Sequence, residues 1–137
     1  MDESTNQSEL FDKAEFNSNQ FKYDLQGFTG SDSFYRYNLF GINALLTEGV
    51  IYLAEKAQCF WLINAILSHQ IYKNVSAEPF QVWKLERIVD EEGGWLLSME
   101  DGNDNEITFQ EIEFSDFPLD SIVIWFVDGV LMLPTEY

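Results

Sequence analysis

The sequence predicts an α+β protein, with N-terminal helices packed on one face of a C-terminal antiparallel sheet of about five strands. Three observations carry this. Apolar residues recur at helical spacing between Thr47 and Tyr72. After Pro79 the pattern changes to β-rich, two-residue alternation. Turn signals then space the strands: Glu91-Glu92-Gly93-Gly94, Asp101-Gly102-Asn103-Asp104-Asn105 and Asp128-Gly129.

Residues 1–8 are rich in Ser, Asn, Gln and acid and read as a disordered tail, leaving 9–137 as a single domain. A short helix is expected from Glu9 to about Phe16, where Leu10, Phe11 and Ala14 share a face, with Asn17-Ser18-Asn19 breaking it. Gly27 to Ser33 is a loop, and Phe34-Tyr35-Arg36-Tyr37 a short turn of helix or an extended piece. Thr47 suits an N-cap and Glu48 the positive end of a helix dipole. The helix beginning there breaks near Gln58, and Phe60 to Ile71 is apolar nearly all round, as in a core helix. Strands follow at Phe80–Val89, Trp95–Glu100, Glu106–Phe114, Ser121–Val127 and Val130–Leu133, in a meander. A phase slip between Phe109 and Ile112 predicts a bulge near Gln110–Glu111. Ser121–Val127 is apolar on both faces and hence central, and Asp128-Gly129 predicts a type I′ hairpin.

The chain has 24 acids and 7 bases, a net charge of −17. Residues 31–77 are neutral, whereas residues 78–137 carry fifteen acids and two bases. Such a chain repels nucleic acid and anionic membrane and favours basic protein surfaces. The first ten residues are polar and acidic, unlike a secretory leader, and the longest apolar run, Ile122–Val127, is far shorter than the roughly 20 residues of a membrane span. A cytoplasmic protein is expected. The single cysteine, Cys59, lies in an apolar run and reads as a buried small hydrophobe.

Catalytic signatures are sparse. One His and one Cys fall short of the roughly four ligands of a structural zinc site. Cys59 and His69 are ten residues apart on one helical stretch, about 15 Å of rise, too far for a dyad. Asp101, Asn103 and Asn105 match the start of a calcium loop, but Glu106 stands where glycine is needed and Ile112 where the closing glutamate belongs. There is no glycine-rich phosphate loop and no nucleophile elbow. No catalytic residue, metal or cofactor is assigned.

The remaining constellation is acidic. Glu86, Asp90, Glu91, Glu92, Glu100, Asp101, Asp104, Glu106, Glu111, Glu113, Asp116 and Asp120 are interrupted by the single base Arg87. Alternate residues of a strand lie about 7 Å apart on one face, so such rows present repeated negative charge to a partner.

Several segments carry a resemblance: Phe28-Thr29-Gly30, Leu46-Thr47-Glu48-Gly49-Val50 with Tyr52-Leu53-Ala54, Trp61-Leu62 through Ser68-His69-Gln70, Phe80-Gln81-Val82-Trp83, Phe114-Ser115-Asp116-Phe117-Pro118-Leu119 and Leu133-Pro134-Thr135-Glu136-Tyr137. Over about residues 28–137 the chain resembles a family of small bacterial proteins classed only as a domain of unknown function. The resemblance implies a bacterial or mobile-element origin and brings no activity, ligand or catalytic residue. The reading is a non-catalytic protein whose twelve acids occupy a basic partner surface, as a nucleic-acid mimic or an inhibitor of a host nucleic-acid-binding protein. Its rivals are a small enzyme with an aromatic pocket of Tyr35, Tyr37, Trp61 and His69, and an assembly module whose charge serves only solubility.

Overall fold

The first helix among the described residues of the computed structural model begins where the sequence pattern suggested a break. Residues 16–89 and 93–137 are described; the expected tail, nearly all of the helix expected at 9–16, and Asp90, Glu91 and Glu92 lie outside them. Asn17 caps α1 (Ser18–Gln26) by accepting from Gln20 N at 2.9 Å. Asn and Ser favour caps for the same reason they favour turns, since their side chains bond nearby backbone N–H groups. Phe21 and Leu25, four residues apart, are the buried face.

Phe34-Tyr35-Arg36-Tyr37 is extended, within β1 (Phe34–Leu39), and pairs antiparallel with β2 (Ile42–Thr47), a strand the sequence reading had not assigned. Consecutive aromatics in β1 and consecutive leucines in β2 hide the two-residue period. The turn between them uses Phe40 and Gly41 at φ 48° and 88°, where Asn-Gly would be the readable signal.

The helical stretch from Thr47 is interrupted as expected. Thr47 caps α2 (Glu48–Lys56) by accepting from Val50 N. Gln58 takes a left-handed φ of 52°, and Cys59 N donates back to Ala54 O at 2.9 Å, the closing bond of a Schellman turn. Glycine is the usual residue there. Gln58→Gly is therefore expected to stabilise the protein by about 1 kcal/mol, read as a higher denaturation midpoint at unchanged slope. After the break come α3 (Phe60–Ser68), a 3₁₀ turn (His69–Ile71) and the short α4 (Lys73–Ser76).

Five more strands follow: β3 (Phe80–Arg87), β4 (Trp95–Glu100), β5 (Glu106–Ile112), β6 (Ser121–Val127) and β7 (Val130–Met132). The fold is α+β, but the sheet has seven strands rather than five and is mixed, because β7 runs parallel to β2. Its order is β1-β2-β7-β6-β3-β4-β5, so the C-terminal strands are not a simple meander. β6 returns beside β3 in a Greek-key order, which places the apolar β6 in the middle of the sheet. The bulge lies at Ile107, where Met99 faces Thr108 and Glu100 faces Glu106, and not near Gln110–Glu111. Pairing is unbroken from Thr108 to Ile112, so Phe109 and Ile112 lie on opposite faces, Phe109 exposed and Ile112 against the core, and Phe114 falls beyond the end of β5. Asp128 and Gly129 have φ 51° and 81°, as a type I′ turn requires.

The sheet curls around α3. Seven flat strands would span about 29 Å, whereas a nine-residue helix is about 14 Å long. Yet Tyr37 of β1 donates to Asn64 of α3 at 2.6 Å, and His69, just past α3, meets Gln110 of β5 at 2.9 Å. Both edge strands thus turn toward one helix, whose Leu62, Ile63, Ile66 and Leu67 are buried.

Candidate partner-binding face

Register assigns every strand residue to a face. The concave face carries Ala44, Leu46, Leu131, Ile124, Gln81, Trp83, Leu85, Trp95, Leu97 and Met99, all buried. On the convex face, Leu45, Val130, Val127 and Phe80 form one cross-strand row, and Met132, Trp125 and Val82 the next. Most of these are half-buried, so β2-β7-β6-β3 present a partly open apolar strip.

All four acids on β3, β4 and β5 lie on this convex face. Glu86 aligns through Leu96 with Glu111, and Val82 aligns through Glu100 with Glu106. Glu86, Glu106 and Glu111 are exposed. Glu100 directly opposes Glu106, an unfavourable like-charge pair, and Lys84 compensates with a 2.9 Å contact to Glu100. That hydrogen bond, opposed by slight desolvation and helped by the charges of Glu100, Glu86 and Asp104, raises the Lys84 pKa.

The other proposed acids serve different purposes. Asp101 accepts from Asn103 N, Asn105 N and Asn105 Nδ2, bonds that hold its pKa below the usual carboxylate value and shape the β4–β5 turn. Asp104 is exposed in that turn at φ 65°. Asp120 pairs with Arg87 at 3.1 Å, while Glu113 and Asp116 are exposed in the β5–β6 connection. The structure therefore splits the convex acids into two rows: Glu86 and Glu111 at the β5–β6 end, near Glu113, Asp116 and Asp120, and Glu100 and Glu106 four residues further along the strands, at the Asp104 end.

One functional-looking carboxylate escaped the sequence reading. Glu136, in the 3₁₀ turn Pro134–Glu136, accepts from Thr47 Oγ1 (2.6 Å), Leu133 N (2.9 Å), Gly49 N (3.1 Å) and Ser31 Oγ (3.1 Å). It binds the N-terminus of α2 as an anion would. Beside it, the Tyr137 ring lies 5.6 Å from Phe80 and 5.4 Å from Trp125, over the convex strip. Nothing local marks Glu136 among 24 acids; only long-range packing selects it.

The aromatic-pocket residues have separate partners. Tyr37 bonds Asn64 and stacks on Phe60, Tyr35 is exposed on the β1 edge, and Trp61 is half-buried on α3. His69 Nε2 faces the Gln110 carboxamide, its ring packs 5.4 Å from Trp83, and Nδ1 is buried without a hydrogen-bond partner. His69→Gln is expected to lower stability by about 1 kcal/mol and leave partner binding unchanged. Loss of binding by a fully folded variant would give His69 a functional role. Cys59 is buried, and burial, partly offset by its backbone, pushes its thiol pKa to about 12. Thiol labelling near pH 8 should therefore require unfolding, and rapid labelling of the native protein would contradict this placement.

Fold and face together define a small acidic α+β protein built on a curled, mixed seven-stranded sheet. The chain belongs to DUF6876, a family of unknown function whose match covers residues 19–137 and so takes in most of α1, beyond the resemblance seen from residue 28. No curated protein and no solved structure matches it. Among the described residues no helix is long and apolar enough to cross a membrane.

Proposed function

We propose that this is a non-catalytic binding protein whose convex sheet face occupies a basic surface of a partner protein, in the manner of a nucleic acid. The observation that carries the reading is the shared placement of Glu86, Glu100, Glu106 and Glu111 opposite the core, with only Lys84 among them. Neighbouring strands are about 4.8 Å apart and four residues of strand span about 13 Å, so these groups form two rows of negative charge on one face, beside the apolar strip. The convex shape suits a concave groove of the kind that holds nucleic acid. A bacterial or mobile-element origin, implied by the resemblance, would make a host nucleic-acid-binding protein the partner class, defence proteins included. The buried thiol suits an encounter in a reducing cytoplasm.

The test is capture and kinetics with partners from a host lysate at about 50 mM and about 500 mM salt. Exposed charges act over about 8 Å at physiological salt and about 3 Å at 1 M, so the on-rate should fall steeply as salt rises. Glu86→Lys, Glu106→Lys and Glu111→Lys combined should remove binding and spare the fold, because all three side chains are exposed. Asp101 is left intact because it holds its turn. Salt-independent affinity, or full binding by the triple reversal, would leave solubility as the purpose of the charge.

A further inference from the structure

We infer that the β1 edge is a self-association surface, through which two copies pair β1 to β1 antiparallel and continue one sheet across both. Among the described residues the sheet has two edges, β1 and β5, and an edge strand offers a row of backbone donors and acceptors to any matching strand. The β5 edge is guarded by exposed Glu106 and Glu111 and by the bulge at Ile107. The β1 edge carries none of these devices. Its register runs unbroken from Phe34 opposite Thr47 to Leu39 opposite Ile42, it contains no proline, and its one charge is Arg36.

The same hairpin exposes large aromatic surface. Phe34 is 51% exposed, Tyr35 46% and Phe40 97%. Phe40 also holds a left-handed φ of 48°, a conformation unfavourable for a bulky residue, and at that exposure its ring is almost wholly in solvent. A strained, solvent-exposed aromatic at a turn tip is an anchor awaiting a second surface.

Charge selects the occupant. A basic partner is drawn to residues 78–137, where the acids lie, whereas residues 31–77 have no net charge. Two copies of a −17 chain meet with least repulsion through this neutral segment. Antiparallel pairing about a two-fold axis normal to the sheet keeps like faces together. A register centred on Tyr37 brings Phe34 beside the second copy's Phe40 and places Arg36 opposite Asn38, away from the second copy's Arg36. Like charges directly opposite are thereby avoided and aromatic pairs are formed.

Sedimentation velocity of the purified chain from about 1 µM to about 500 µM, at about 50 mM and about 500 mM salt, tests this. The expected result is a dimer that tightens several-fold as salt screens the net charge. Its formation should protect the amides of Phe34–Leu39 from hydrogen exchange. Tyr35→Glu should weaken the dimer at least about tenfold by placing a gatekeeper charge on the edge. Phe40→Asn should fold at least as well as the parent, because Asn tolerates the left-handed turn, and should still weaken the dimer. A monomer at every concentration overturns the inference, even if β1 then binds a foreign peptide. So does a dimer insensitive to both variants, or one that loosens with salt. Because the proposed partner binding must weaken with salt and depends on other strands, the two readings fail independently.

Discussion

Gln81→Ala is expected to lower stability by roughly 3–4 kcal/mol, more than any surface charge in the sheet. Gln81 is 2% exposed on β3. Its Oε1 accepts from Gln70 Nε2 at 2.8 Å and from the buried Trp83 Nε1 at 2.9 Å. Its Nε2 hydrogens are shared among Gln70 Oε1, Val75 O and Glu78 O. Truncation would leave an indole N–H and two backbone carbonyls without partners in a place water reaches poorly, each costing about 1–3 kcal/mol. Gln81→Glu should also destabilise, because a carboxylate cannot donate to Val75 or Glu78. Chemical denaturation should show a shifted midpoint at constant slope; a loss below about 1 kcal/mol would mean that water replaces the network. The consequence reaches the surface, because these bonds pin β3 to the α4 segment. A one-residue slip of β3 would turn Lys84 and Glu86 into the core and Trp83 and Leu85 outward.

Where a local rule governed, the sequence was legible. Thr47 as a cap, the break at Gln58, the ends of β4 and β6 and the Asp128-Gly129 turn all follow from residues near the feature itself. The β1–β2 hairpin was not legible, because its turn places Phe40 where the recognisable chemistry would be Asn and its strands do not alternate cleanly. Strand order was hidden for another reason: β2–β7 and β6–β3 pairings join residues far apart in sequence, and periodicity carries no information about partners. The acids illustrate the same division. Their abundance in residues 78–137 was plain, but that Glu86, Glu100, Glu106 and Glu111 share a face depends on register and on the bulge at Ile107. The resemblance segments gain a physical meaning from these pairings. Leu46–Val50 meets Leu133–Tyr137 at Glu136, and Ser68–Gln70 meets Phe80–Trp83 at Gln81. In the same way, Phe117 packs edge-on against Trp95, whose Nε1 donates to Ser115 O.

Gly49→Ala should cost about 2–4 kcal/mol, because a β-carbon there would lie 2.6 Å from Glu136 Oε1 and 2.8 Å from Leu133 Cδ1. The Glu136 end could swing away only by abandoning Thr47, Ser31, Leu133 N and Gly49 N. Glu136→Ala should cost about 2–3 kcal/mol, since charge-assisted hydrogen bonds are the strong ones and removal leaves α2 without its anion. Coupling is the decisive feature. Once Glu136 is truncated most of the clash disappears, so the double variant should lose clearly less than the two single losses combined. Additive losses would show that Gly49 is needed for reasons unrelated to the carboxylate. Hydrogen exchange at Glu48–Val50 should accelerate in Glu136→Ala, locating the loss at the start of α2. The same variant loosens Tyr137 from Phe80 and Trp125, enlarging the exposed apolar strip beside the acidic field. If that strip takes part in partner binding, the folded Glu136→Ala protein will bind with altered off-rate but an unchanged salt slope, since the strand acids remain in place.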